Sequence, residues 1–73
     1  MENTNTLPVI VRMKEVARMV GLSKATIYNR IKQRTFPAGI PLGAVARGWL
    51  RSEVEQWIAE RTSERDALAS KAA

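Results

Sequence analysis

Apolar residues return along this chain at helical spacing in three places, each backed by polar positions. Val16, Ala17 and Val20, with Met13 one turn earlier, form an inward stripe that predicts a helix from about Lys14 to Val20. Ile27 and Ile31 define the buried side of a second helix, from Lys24 to about Arg34, and Leu22 anchors the turn between the two. Val54, Trp57 and Ile58 follow at i, i+3 and i+4 and give a third helix its core face. That spacing on an acidic helix makes core packing the better reading of Trp57 than base stacking. Between the second and third helices the period changes. Phe36-Pro37 stops the helix, because the residue before a proline is pushed out of the α region. Gly39–Leu42 and Arg47–Leu50 then predict a short hairpin with its loop over 43–46 and glycines where tight turns need them.

A two-stranded ribbon is marginal alone, so it is expected to lie on the helices through Ile40, Leu42 and Trp49. Pro8-Val9-Ile10-Val11-Arg12 is a β-prone run suited to an edge strand, with the proline at its start where a missing donor does no harm. The first eight residues are polar and aperiodic and are expected to form a disordered tail. Past Arg61 the pattern fades, so residues 62–73 are expected to be a helical or disordered extension of a domain spanning 9–61.

The helix boundaries carry their own chemistry. Gly21 suits a left-handed C-cap, where a missing Cβ removes the steric penalty. Ser23 suits the next N-cap, its hydroxyl accepting from an otherwise orphan backbone N–H. Ser52 and Glu55 have the spacing of a capping box, and Glu53 favours the positive end of the same helix. Two helices joined at Gly21-Leu22-Ser23 make a helix-turn-helix, whose second helix enters a DNA groove, and the hairpin that follows is placed as a wing.

The outer side of that second helix changes the picture most. Opposite Ile27 and Ile31 stand Ala25, Asn29, Lys32 and Gln33, with Thr26 and Arg30 on one flank and Lys24 and Tyr28 on the other. An ordinary surface helix pairs its cations with acids a turn away. This one holds no Asp or Glu between Lys24 and Arg34. Net charge follows the same division. Residues 1–51 carry +7 and residues 52–73 carry −2, within a total of +5 over 73 residues. A cationic half of that kind points to a polyanion.

Composition narrows the alternatives. The chain has no cysteine and no histidine, which removes thiolate and imidazole metal ligands and the commonest general base. Its acids lie apart or in the tail half, and Ser23 and Ser52 are accounted for as caps, so no catalytic residues, cofactor or metal are expected. No apolar run approaches the roughly 18 residues of a membrane span, and no signal peptide is recognised, so a cytoplasmic, nucleoid-associated setting is expected.

The succession Lys14-Glu15-Val16-Ala17, Gly21-Leu22-Ser23, Thr26-Ile27-Tyr28, Phe36-Pro37, Leu42-Gly43, Gly48-Trp49 and Ser52-Glu53-Val54 with Trp57-Ile58 resembles the AlpA-type prophage regulatory proteins, within the broader excisionase and MerR-like winged-helix group. The resemblance covers about residues 9–60. It implies a mainly α winged helix-turn-helix with a small β-hairpin, serving a prophage or integrative element as a transcription regulator or as an excisionase that directs a tyrosine integrase. The family usually carries an arginine two residues after Leu-Gly, where this chain has Val45; Arg47, two positions on, would keep the same face along an extended strand.

The expected partner is therefore double-stranded DNA, an attachment site or a promoter with repeats. Arg30 and Lys32 suit guanine, Asn29 and Gln33 suit adenine, and the Thr26 methyl suits thymine. Ser23, Lys24, Tyr28 and Arg47 suit phosphates. One short helix makes a small footprint, so a free monomer loading cooperatively on repeats is expected. A pure transcription regulator, a protein-binding adaptor and an RNA binder are the alternatives. An adaptor would want an exposed apolar patch, and an RNA binder exposed aromatics.

Overall fold

The computed structural model describes residues 8–72; the tail expected over 1–8 lies, except for Pro8, outside them. Three helices, α1 (Met13–Val20), α2 (Lys24–Lys32) and α3 (Arg51–Ala72), combine with three strands, β1 (Ile10–Val11), β2 (Ile40–Pro41) and β3 (Arg47–Leu50). The strands form one antiparallel sheet in the order β1-β3-β2. This is the winged helix-turn-helix that the apolar spacing predicts, with the edge strand before α1 included.

The three helices, β3 and the loop after α2 each contribute one residue to a small core. Val16 of α1, Ile27 of α2, Phe36 of the following loop, Trp49 of β3 and Val54 of α3 are all buried. The Trp49 indole N–H donates to the Pro37 carbonyl at 2.9 Å, so its one polar atom is satisfied inside. The turn between α1 and α2 forms as the residues dictate. Gly21 takes φ 71° and its N–H returns to the Ala17 carbonyl. Ser23 Oγ accepts from the Thr26 N–H at 3.2 Å.

Four expectations need correction. First, α2 ends at Lys32 rather than Arg34. Arg34 adopts φ 63°, and the bonds Thr35 N–H to Arg30 O (2.9 Å) and Arg34 N–H to Ile31 O (3.0 Å) close a Schellman motif with arginine where glycine is usual. Second, the capping box does not form. β3 runs straight into α3, which starts at Arg51, so Ser52 is already inside the helix. The orphan N–H of Arg51 is taken by the Val9 carbonyl at 2.8 Å, and Glu55 accepts from Arg51 Nε at 3.2 Å instead of reaching back to Ser52.

Third, Ile40 and Leu42 do not anchor the hairpin on the helices. Ile40 pairs with Gly48, and residues directly opposite share a face, while Trp49 points the other way. Only Trp49 enters the core. Fourth, the wing loop does not depend on left-handed glycine, for Gly21 is the one positive-φ glycine among the described residues. Gly48 matters through close approach: a Cβ there would stand 2.5 Å from Ile10 Cγ2 and 2.9 Å from Leu42 Cδ1.

Candidate nucleic-acid interface

The Ser23 cap sets where α2 begins and therefore which side chains leave the core. Its hydroxyl accepts from the Thr26 N–H and donates to Thr26 Oγ1 at 2.9 Å, tying both residues into the first turn. With Ile27 buried below, Lys24, Tyr28, Asn29, Lys32 and Gln33 are exposed, and Ser23 opens the same side. Thr26 is half-buried on the flank. The N-terminal N–H groups of α2 add partial positive charge next to Lys24, an arrangement that favours an anion.

Arg30 departs from the reading that places it on this face. It is half-buried and lines the open cleft between the end of α2 and α3, beside Trp57 and Arg61. Its Nε is closed off from solvent without a hydrogen-bond partner. Two turns of α3 form the far wall of that cleft. Trp57 packs edge-on against Phe36 with centroids 5.0 Å apart and donates its indole N–H to the Thr35 carbonyl at 2.7 Å. Arg61 stacks over the same indole, 5.1 Å from its centroid. Trp57 is thus a half-buried packing residue, as its spacing predicts.

Arg47 is exposed at the start of β3, across from Pro41. Val45, two residues earlier, lies in the bend outside the strand and is 95% exposed. The two do not belong to one extended segment, so strand alternation gives no common face. The Arg47 carbonyl accepts from Arg12 Nε at 2.8 Å, which brings a second exposed guanidinium to the base of the wing. Arg12 was not among the sequence-derived candidates. Its only signal was an arginine ending a β-prone run, and the pairing across 35 residues that places it is invisible in spacing alone.

Charge pairing separates these residues from most of the surface arginines, although Lys14 of α1 also has no carboxylate partner among the described residues. Arg18 meets Glu15, Arg51 meets Glu55, Arg61 meets Glu64 and Arg65 meets Asp66. Among the described residues no carboxylate pairs with Lys24, Lys32, Arg34 or Arg47. No group of three potential metal ligands occurs among the described residues, and none of their helices is long and apolar enough to cross a membrane.

The family model of the prophage CP4-57 regulatory protein, AlpA, matches residues 9–62. The chain belongs to the AlpA family. That match spans the helix-turn-helix, the wing and the start of α3 in one piece. A protein of Enterobacteria phage P4, described as uncharacterized protein ORF88, is 42% identical over 55 residues, covering 75% of this chain and 62% of the phage protein. The chain thus spans less than two thirds of that relative. The DNA-binding transcriptional activator AlpA of Escherichia coli K12 is 29% identical over 65 residues, covering 81% of this chain and 93% of the activator. No solved structure matches.

Proposed function

We propose that this protein binds double-stranded DNA in a sequence-specific way, with α2 in the major groove and the wing against the neighbouring backbone. The observation that carries the reading is the exposed side of α2, which presents Lys24, Tyr28, Asn29, Lys32 and Gln33 without one acidic partner. Asn29 and Gln33 fit the paired donor and acceptor of adenine, Lys32 fits guanine, and the half-buried Thr26 can offer only its methyl. Ser23, Lys24, Tyr28 and, from the wing, Arg47 fit phosphates. Arg30 reaches a guanine only by leaving its place beside Trp57. Titration with duplex, single strand and RNA at two salt concentrations tests this. Preference for one duplex sequence, with affinity falling as salt rises, is expected; equal binding to RNA or single strand would overturn it.

Within that reading the protein regulates a prophage or integrative element, either at a promoter, as the name of the Escherichia coli relative suggests, or as an excisionase for a tyrosine integrase at an attachment site. The small footprint favours several copies on repeats in both cases, with a monomer in free solution. Deleting the gene separates the two roles. Loss of element excision with unchanged transcription of its neighbours supports the excisionase; the reverse leaves a transcription regulator.

A further inference from the structure

Antiparallel sheets of small domains usually bury one face and wet the other. Here the wet face is apolar. Residues paired across the ladder share a face, so Ile40, Gly48, Leu50 and Ile10 stand together on the side away from Trp49. Leu42 joins them, since the Gly48 Cα is where Ile10 and Leu42 converge. None of these residues belongs to the core or packs against it. Ile10 and Leu42 are both more than two-fifths exposed. Arg12, two residues after Ile10, borders the patch as an exposed cation.

Outside the wing and the N-terminal strand, the long helix α3 also exposes an aliphatic side chain. Leu68 on α3 is 68% exposed. Glu60, Glu64 and Leu68 succeed one another at i, i+4 and i+8, which puts two carboxylates and a leucine on one stripe. Glu64 and Leu68 lie on the part of α3 beyond Arg61, where every described side chain is exposed, and Glu60, just before Arg61, is exposed as well. Residues 62–72 extend α3 by about 16 Å beyond Arg61.

We infer that the outer face of the wing sheet is the docking site for the α3 extension of a second copy bound to the adjacent DNA site, with Leu68 seated on Ile10 and Leu42 and Glu64 exchanging its exposed, weakly stabilising pair with Arg61 for Arg12 of the neighbour. The contact is head-to-tail, because the two surfaces differ, and it can therefore propagate along a row of sites. One leucine on four apolar side chains falls well below the roughly 1,200 Å² that stable complexes bury, so the pair forms only where DNA holds both copies. The inference rests on the DNA-binding reading and says which surfaces make loading cooperative.

Leu42→Asp and Leu68→Asp test it, since both side chains are exposed and outside the core. A duplex selected from random sequence by the unaltered protein is used with one site and with two, over several spacings. Each variant is expected to melt and to bind the single site like the unaltered protein. On the two-site duplex each alone should lose at least tenfold in cooperativity. An equal mixture should recover cooperative loading, because the intact wing of the Leu68 variant can take the intact tail of the Leu42 variant. Unchanged cooperativity in either variant, or a mixture no better than its components, would overturn the contact and leave the apolar face to another protein such as an integrase. Failure of the unaltered protein to bind any single-site duplex would overturn the DNA reading itself.

Discussion

α2 and α3 both rest on the same five-residue core, and both expose arginine or lysine, yet their surfaces end in opposite states. On α3, Arg51, Arg61 and Arg65 each find a carboxylate within 3.2 Å. On α2, Lys24 and Lys32 find none. A paired surface arginine has little left to offer a ligand, and an isolated pair contributes only about 0–1 kcal/mol to stability. Unpaired cations beside Asn29 and Gln33 keep their donors for an incoming polyanion. What distinguishes the candidate interface is therefore the placing of acids, not the number of bases.

The contrast breaks most visibly from below. Ile27→Ala should cost about 2–5 kcal/mol, since it opens a cavity under the outer face of α2. Thermal melting should show it, whereas Leu68→Ala on the exposed end of α3 should stay within about 0.5 kcal/mol. A second set of changes asks which surface meets DNA. Asn29→Ala should lose about 1–3 kcal/mol on a preferred duplex and relax one base pair. Lys24→Ala should weaken all duplexes alike and lower the salt slope by about 1. Arg65→Ala should leave binding unchanged, and a loss there as large as at Lys24 would move the interface to α3.

The caps sharpen the comparison at smaller scale. Ser23→Ala should destabilise by about 1 kcal/mol, because it removes the acceptor of the Thr26 N–H. Ser52→Ala should be neutral or slightly stabilising, since Ser52 sits inside α3 and alanine is the better helix former. Equal losses in both would restore the capping box that the structure lacks. Smallest in effect, Arg34→Gly should gain up to about 1 kcal/mol of stability by relieving the left-handed backbone after α2. A destabilised variant would mean that the Arg34 side chain packs more than its exposure suggests.

The helices, the turn at Gly21-Leu22-Ser23 and the acid-free side of α2 were legible in the chain because they depend on residues within one or two turns of each other. Helical period places Ile27 against the core and Asn29 away from it whatever else the protein does. The edge strand and the hairpin were legible for the same local reason. What the tertiary structure decided were matters of partners far apart in sequence. Arg30 is half-buried in a cleft that it shares with Phe36 and Trp57, brought beside it by the packing of α3. Val9 takes the Arg51 N–H, and the helix starts one residue before the apparent capping box. Register pairs Ile40 with Gly48, so Ile40 and Leu42 turn outward while Trp49 turns in. Arg12 joins Arg47 only once β1 lies along β3. Contacts such as Phe36 with Trp57 and Val9 with Arg51, 21 and 42 residues apart, leave no period to detect, and the Ile40–Gly48 register is set by the turn between them; there the sequence alone stops.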